Sequence, residues 1–256
     1  MPALVVRELV HVMGTVVTID VFPGAESGTL DFAPARAVLE RADEVFSTWR
    51  PDSPVSRLRR GEITAADAPP EVAAVMSACA TARELTDGWF DPWAMPGGFD
   101  PTGYVKGWAA QRALGELADL AISGALVNAA GDIASLGSQP SGAPFRIGIV
   151  DPDEPRRLAE IVELTACIAT SGTYERGGHL LNPRSGAPAA RVASASVTGP
   201  DLGLADALAT AVAVTGVAGL DFIEPLAGYE ALVIGPAGRR QWTSHFPIAS
   251  TTGPGW

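Results

Sequence analysis

The sequence predicts an α+β fold with a largely antiparallel sheet. Apolar residues recur at three-to-four spacing in several segments, which is typical of amphipathic helices, and short alternating apolar runs between these segments are typical of strands. No regular strand–helix–strand rhythm of the kind that builds parallel sheets runs along the chain. The 256 residues contain neither an internal repeat nor a long linker, so we expect one domain over residues 1–256, or two closely fused lobes.

Four helices are expected from the apolar spacing. The first has a proline in its first turn, which is a preferred position for that residue. A loop rich in aromatic residues and glycine separates the second helix from the third. The helical segments run from Pro34 to about Arg50, from Pro70 to Thr86, from Val105 to Leu120 and from Leu204 to Val214.

The expected strands are short. Residues 9–22 alternate between apolar and polar side chains around an interruption at Gly14, so they form a strand or a hairpin that opens the sheet. Glycine and proline at positions 235–238 predict a hairpin turn late in the chain. The remaining apolar runs are 125–128, 145–150, 167–170 and, on either side of that turn, 231–234 and 240–245.

Composition places the chain among globular proteins. Hydrophobic residues make up 47% and charged residues 18%, which excludes disorder, and without a run of eighteen apolar residues no membrane partner is expected. The formal charge is −11, and no basic cluster is larger than Arg57, Arg59 and Arg60, which argues against nucleic acid as a partner. Residues 1–8 lack the features of a leader segment, so we expect a cytoplasmic protein.

The two cysteines are Cys79 and Cys167, too few for a disulfide framework. The first lies in an expected helix and the second in an expected strand. Both are therefore expected to be buried packing residues.

Rare residue types give the first indication of a functional site. Lys106 is the only lysine, and all other basic side chains apart from histidine are arginine. A compact ammonium group suits contact with phosphate at a tight backbone. The only two asparagines, Asn128 and Asn182, lie beside glycine-containing turns, so they either contact a ligand or simply make those turns.

Two further polar motifs stand out against apolar neighbours. Asp206 and Thr210 are four residues apart in an otherwise apolar helix, so they share one helix face. A buried carboxylate needs a partner, and a hard cation with oxygen ligands is one; the alternative is that Asp206 caps the helix N-terminus. His179 follows two glycines and precedes an apolar pair, although an isolated histidine is more often structural than catalytic.

Motifs in order along nearly the whole chain resemble those of the ApbE family, the FAD:protein FMN transferases. The order of these motifs along the chain is more specific to the family than any one motif. The segments that carry the resemblance are His11–Thr15, Phe46–Ser53, Val55–Leu58, Gly88–Pro92, Asp100–Trp108, Asn128–Ile133, Thr170–Tyr174, His179–Gly186, Ser196–Thr198 and Ala205–Ala211.

The resemblance implies a T-fold-like architecture of mostly antiparallel sheet with packed helices. It implies a divalent cation, Mg²⁺ or less productively Ca²⁺, held by Asp206, Thr210 and the backbone carbonyl of Gly103. It also implies His179, Lys106 and Asp206 as catalytic residues. The implied FAD contacts are Met13, Trp49, Trp89, Phe90, Asp91, Asp100, Lys106, Asn128, Thr170, Ser171, Gly172, His179 and Leu180.

The implied reaction is Mg²⁺-dependent transfer of the FMN moiety of FAD to a Ser or Thr hydroxyl in a flavinylation motif of a partner flavoprotein, with release of AMP. An FAD pyrophosphatase giving FMN and AMP, or a non-catalytic FAD-binding protein, would use the same residues. The chain departs from the family pattern at Ala130 and Asn182, and the insert before the lysine loop is reduced to residues 93–99. We therefore expect the rim of the site to be more open or rebuilt.

Overall fold

The structure, a computed structural model, describes residues 4–25, 27–172, 180–189 and 191–249. Within these ranges, helices and strands follow one another in an irregular order. The strands are β1 Val6–Val12, β2 Thr15–Pro23, β3 Ile122–Ala129, β4 Asp132–Gly137, β5 Phe145–Val150, β6 Leu158–Leu164, β7 Cys167–Gly172, β8 Ser194–Gly199, β9 Glu230–Ile234 and β10 Arg240–Trp242. The helices are α1 Ala33–Phe46, α2 Pro54–Arg59, α3 Pro70–Leu85, α4 Thr102–Gly115, α5 Leu202–Thr215 and α6 Leu220–Ile223, with short 3₁₀ turns at Pro92–Ala94, Gly216–Gly219 and Pro236–Gly238.

Eight strands form one large sheet in which every neighbouring pair is antiparallel. The order across this sheet is β1-β2-β3-β4-β7-β8-β9-β10. The strands β5 and β6 pair with each other in a second, two-stranded antiparallel sheet. The predicted α+β class with a mostly antiparallel sheet is confirmed.

The central strands of the large sheet are buried on both faces, because successive side chains point to opposite sides. On β7, Ala169 packs in the cluster formed with the helices, whereas Ile168 packs in the cluster formed with β5 and β6. On β9, Val233 packs in the cluster with the helices and Leu232 in the cluster with β5 and β6. The small side chains on the helix face allow α4 and α5 to lie close to the strands.

The helices α4 and α5 approach each other at two glycines. A Cβ atom on Gly107 would lie 2.4 Å from the backbone oxygen of Leu202, and one on Gly203 would lie 2.8 Å from the ring of Tyr104. Real Cβ atoms do not come this close to other heavy atoms, so only glycine fits at either position. This close contact sets the face of α4 that bears Lys106 against the face of α5 that bears Asp206.

We expect Gly107→Ala to destabilise the protein by about 1–3 kcal/mol, because the added methyl group must push α5 away from α4. Gly115→Ala is the matched control in the same helix, since a Cβ there meets nothing within 4 Å. That control should be neutral or stabilising by up to about 1 kcal/mol. Urea unfolding of both variants measures the difference, and equal stability of the two would contradict this account of the helix contact.

Several predicted boundaries differ from those in the structure. The helix α1 ends at Phe46 rather than near Arg50, because the backbone becomes extended at Ser47 (φ −60°, ψ 126°). The helix α4 begins and ends several residues before its predicted bounds. The sequence did not predict α2, β4, β6 or β8. In β8, Ala195 and Val197 alternate with Ser and Thr, but these small side chains give a weak strand signal, and the strand is buried between β7 and β9. The C-terminal hairpin is confirmed as β9 and β10.

Both cysteines are buried, as predicted. Burial raises the pKa of the Cys79 thiol to about 12, and it raises the pKa of the Cys167 thiol to about 12 as well. We therefore expect neither thiol to react with iodoacetamide at neutral pH in the native protein, and both to react in denaturant. Rapid labelling of either cysteine before unfolding, measured by mass spectrometry, would contradict this expectation.

Among the residues that the structure describes, Leu202–Ile223 is apolar and long enough to cross a membrane by length and composition alone. Of the most hydrophobic part of this segment, 72% is buried inside the fold. The segment includes α5, which forms part of the main core. Its apolar composition is accounted for by packing between the sheet and the other helices.

Candidate active site

A cavity of about 670 Å³ lies beside the α4–α5 helix pair. Its walls come from the turn between β1 and β2, the C-terminal part of α1 with the loop after it, the segment between α3 and α4, and parts of β7 and α5. A cavity of this size, with mostly apolar walls and a few convergent polar groups, is typical of a small-molecule site.

The single lysine meets two buried carboxylates at the floor of the cavity, of which Asp206 lines the cavity and Asp132 lies behind the lysine. Lys106 Nζ forms an ion pair with the fully buried Asp132 and lies 3.8 Å from Asp206 Oδ2. Asp206 also accepts a hydrogen bond from the Gly107 backbone N–H at 3.4 Å, and Asp132 accepts one from the Thr170 backbone N–H at 3.1 Å. One ammonium group therefore faces two carboxylates, which leaves a net negative charge when both are ionised.

Burial raises the pKa of Asp206 above its usual range, and the charge of Lys106 with the Gly107 hydrogen bond opposes this shift only in part. The ionised carboxylate is thus unfavourable in its present surroundings. A divalent cation beside Asp206 would reverse that effect, because it favours the charged form.

Uncharged oxygen atoms lie next to Asp206. Thr210 follows one turn later on α5, and Ser171 Oγ lies 3.3 Å from Thr210 Oγ1. Gly103 faces Thr210 from α4: a Cβ atom there would lie 3.3 Å from Thr210 Oγ1, and the backbone of Gly103 is not helical (φ −81°, ψ 17°). Carboxylate, hydroxyl and carbonyl oxygens are the donors that Mg²⁺ and Ca²⁺ prefer, so these residues fit a hard cation.

In the described part of the chain, no group of three or more His, Cys, Asp or Glu side chains could hold a metal ion. A cation at Asp206 would therefore rely on one carboxylate together with uncharged oxygens and water. Mg²⁺ commonly keeps several water ligands and binds through one or two carboxylates, so this donor set suits it.

The capping alternative for Asp206 is wrong. The cap of α5 is Asp201, whose side chain accepts a hydrogen bond from the Leu204 backbone N–H at 2.7 Å. Asp206 lies within the helix and is 3% exposed. Its carboxylate is therefore directed to the α4 side of the helix, where Gly107 and Lys106 contact it.

Aromatic side chains line another part of the cavity. Phe90 is buried, whereas the Trp49 side chain is 92% exposed and so is open to contact by a ligand. The Arg184 guanidinium lies 4.0 Å from the centroid of the Trp89 ring and forms an ion pair with Asp87 at 3.0 Å. These rings offer stacking surfaces to a flat, aromatic ligand.

The turn between β1 and β2 brings Met13 to the cavity. Met13 and Gly14 both have positive φ angles, 51° and 67°, which match the type I′ turn of two-residue hairpins. The Met13 backbone N–H donates to Asp43 Oδ1 at 2.9 Å. Asp43 thus stabilises Met13, for which a positive φ angle is less favourable than it is for Gly14. Asp43 is not among the residues that the sequence indicated, although its spacing from Leu39 and Phe46 puts it beside the buried face of α1.

Two Phe-Asp-Pro tripeptides, nine residues apart, shape the rim of the cavity. Asp91 forms an ion pair with Arg83 at 2.6 Å, and Asp100 forms one with Arg59 at 3.3 Å. Each aspartate also accepts the backbone N–H two residues further on, at 3.0 and 3.1 Å. The shortened segment 93–99 is therefore tied to the helices before it at both of its ends.

Most residues that the sequence indicated line this cavity. They are Met13, Trp49, Trp89, Phe90, Asp91, Asp100, Gly103, Lys106, Thr170, Ser171, Leu180, Asp206 and Thr210. Asn128 and Gly172 do not line it, and Asn128 instead closes a turn by accepting the Gly131 backbone N–H at 2.8 Å. His179 lies outside the described residues.

A second missed residue is Asp132, which binds the only lysine but was named only as part of the Asn128–Ile133 motif. Its position after a turn is typical of a solvent-exposed acid. The structure instead buries it completely at the start of β4. A carboxylate in a segment otherwise composed mostly of apolar and small residues was the one available signal.

The sequence model of the ApbE family matches residues 13–97 and 95–233, which is most of the chain. The chain belongs to the ApbE family. The matched ranges contain every residue placed at the cavity floor, including Lys106, Asp132 and Asp206.

Two curated relatives of this ApbE-family chain are both named FAD:protein FMN transferase. The relative from Rhodobacter capsulatus is 36% identical over 122 residues, which is 44% of this chain and 23% of the relative. The relative from Vibrio cholerae serotype O1 is 33% identical over 123 residues, which is 44% of this chain and 37% of the relative. The matched segments therefore span well under half the length of these relatives.

Solved ApbE structures share the fold over almost the whole chain. The flavin transferase ApbE from Vibrio cholerae is 23% identical, with a TM-score of 0.83 over 96% of this chain and 99% of the other. The flavinyl transferase ApbE from Pseudomonas stutzeri, in its apo form, is 24% identical, with a TM-score of 0.80 over 94% of this chain and 95% of the other. The ApbE-like architecture that the resemblance implied is confirmed.

Proposed function

We propose that this protein uses FAD and Mg²⁺ to attach FMN to a Ser or Thr hydroxyl in a flavinylation motif of a partner flavoprotein, with release of AMP. The observation that carries the proposal is the cavity floor, where Lys106, Asp206 and Thr210 meet below an aromatic wall. The shared name of the two curated relatives supports FAD as the substrate and a flavoprotein as the acceptor.

The charge at the floor supports the need for a divalent cation. Asp132 and Asp206 bring two negative charges against the single positive charge of Lys106, and the diphosphate of FAD adds two more. Asp206, Thr210 and the Gly103 carbonyl would hold Mg²⁺ there. When bound, the ion neutralises phosphate oxygens and stabilises the charge that develops on them during transfer.

The chain's own residues bind and orient the substrate in this proposal. Trp89, Phe90 and Met13 supply apolar walls for the flat ring systems of FAD. Lys106 is held by Asp132 at the floor, where its ammonium group faces the phosphates. Because these groups are fixed before the substrate arrives, little reorganisation is needed in the transition state.

The transfer step breaks the phosphoanhydride bond of FAD and forms a phosphoester bond to the acceptor. The acceptor hydroxyl oxygen bonds to the phosphorus of the FMN moiety, while the bond from that phosphorus to the bridging oxygen breaks and AMP leaves with that oxygen. The hydroxyl proton passes to a base, for which His179 is our candidate on sequence grounds. Water in place of the acceptor hydroxyl would give FMN and AMP instead.

The deciding experiment combines the purified protein with FAD, Mg²⁺ and a candidate flavoprotein acceptor, and follows acceptor mass together with AMP and free FMN. A parallel reaction with EDTA tests the metal, and one with the acceptor Ser or Thr replaced by Ala tests the attachment point. A covalent FMN adduct with AMP, lost in both parallel reactions, is the expected result. Free FMN with AMP would contradict the proposal and indicate a pyrophosphatase. Bound but unchanged FAD would contradict it and indicate an FAD-binding protein.

A further inference from the structure

Arg59 is the last residue of α2 and contacts the shortened rim segment at two points and Asp100, the residue after that segment, at a third. Its Nε donates to the Gly97 backbone carbonyl at 3.2 Å, and its Nη2 donates to the Pro96 backbone carbonyl at 2.5 Å. Its Nη1 lies 3.3 Å from Asp100 Oδ2. The planar guanidinium can hold all three oxygen atoms at once, which an ammonium group on a flexible stem cannot do with the same geometry.

The rim segment is shaped to receive this side chain. Gly97 has a φ angle of 82°, and a Cβ atom on it would lie 2.6 Å from Arg59 Nη2. The Arg59 side chain is only 16% exposed, so its contacts are shielded from water more than those of a surface arginine. Its neighbour Arg60 is 45% exposed and binds Glu62 and the Pro51 carbonyl, with no contact to the rim.

Arg59 acts on the cavity through the residues that it holds. Pro96 and Asp100 both line the cavity, and Asp100 immediately precedes the helix that bears Gly103 and Lys106. The other oxygen of Asp100 accepts the Thr102 backbone N–H at 3.1 Å, so the same carboxylate joins Arg59 to the start of α4.

We infer that Arg59 is a positioning residue that shapes the rim of the FAD site, so that its loss weakens FAD binding more than it slows the transfer step. This inference rests on the proposed function. One partly buried guanidinium holds the Pro96 and Gly97 backbone carbonyls of the short rim and the carboxylate that leads into α4.

The test compares Arg59→Ala, Arg59→Lys and the matched control Arg60→Ala, with FAD affinity measured by quenching of flavin fluorescence in Mg²⁺. We expect Arg59→Ala to raise the Kd and the KM for FAD by about tenfold, with kcat changed by less than about twofold. Arg59→Lys should lie between Arg59→Ala and the wild type, and Arg60→Ala should match the wild type. A purely structural role would instead lower the folded fraction, and so kcat, without changing the Kd of the folded protein.

Equal FAD affinity of Arg59→Ala and Arg60→Ala, both folded by thermal melting, would overturn the inference. If Arg59→Ala does not fold, Arg59→Lys decides, because wild-type affinity in that variant also overturns it. A wild-type protein that binds FAD but transfers nothing contradicts the proposed function and leaves the effect of Arg59 on binding measurable. A wild-type protein that does not bind FAD overturns both.

Discussion

Replacing Asp206 with asparagine is expected to lower FMN transfer by at least about 10³-fold, equivalent to about 4 kcal/mol of lost transition-state stabilisation. Asparagine preserves the shape of the side chain but removes the only charged ligand proposed for Mg²⁺. Asp201→Asn is the matched control, because Asp201 caps the same helix and asparagine is an equally good cap. The initial rate of acceptor flavinylation is measured for both variants. A wild-type rate for Asp206→Asn would refute the proposed metal site.

The same substitution has an expected effect on stability that does not depend on activity. Burial raises the pKa of Asp206, so the folded state binds this proton more tightly than the unfolded state does. The contribution of Asp206 to metal-free stability is therefore greatest below its unfolded pKa and declines as the pH rises towards its folded pKa. Without metal, Asp206→Asn should remove this decline and be as stable as the wild type or more stable at neutral pH.

Addition of metal should make the wild type more stable than Asp206→Asn. A cation that binds the folded protein stabilises it by mass action, so Mg²⁺ with FAD should raise the melting temperature of the wild type. The rise should be absent in Asp206→Asn and retained in Asp201→Asn. An equal rise in all three proteins would place the cation elsewhere.

Replacing Lys106 with methionine is expected to cost about 3–5 kcal/mol of folding free energy, because it leaves the carboxylate of Asp132 buried without its partner. For a protein of this size the loss corresponds to a fall in melting temperature of roughly 6–20 °C. Transfer should be lost as well. Arg112→Met is the matched control, since Arg112 lies in the same helix but is exposed and forms no ion pair with the described residues, only a cation–π contact with the Trp108 ring.

A second substitution separates the ion pair from the rest of the lysine side chain. The double variant Lys106→Met with Asp132→Asn no longer buries an unpaired charge, so it should recover most of the lost stability while remaining inactive. Thermal melts of the single and double variants form a double-mutant cycle. Additive effects in that cycle would mean that the two side chains do not interact.

Local sequence signals account for much of the fold. The period of apolar residues located α3 and α5, and the strand β5 has the predicted bounds of 145–150. Elements with a weak local signal were missed: β8 alternates only small apolar residues with Ser and Thr, and the turn after Phe46 is held by the Ser53 and Ser56 hydroxyls, which donate to the Ser47 carbonyl. The conformation of β8 depends on its pairing with β7 and β9, and that of the turn on side-chain hydrogen bonds, so apolar spacing alone does not reveal either element.

The sequence by itself determined the fold class and the family, and most of the site residues that it indicated line the cavity, because each of these depends on residue type and order. Only the tertiary structure decided how the charges are paired. Lys106, Asp132 and Asp206 come from three distant parts of the chain, and their burial creates a negative floor that spacing could not show. The structure likewise assigned Asp43 to the Met13 turn and Arg59 to the rim. Such pairings depend on distances between folded elements, which a linear pattern does not contain.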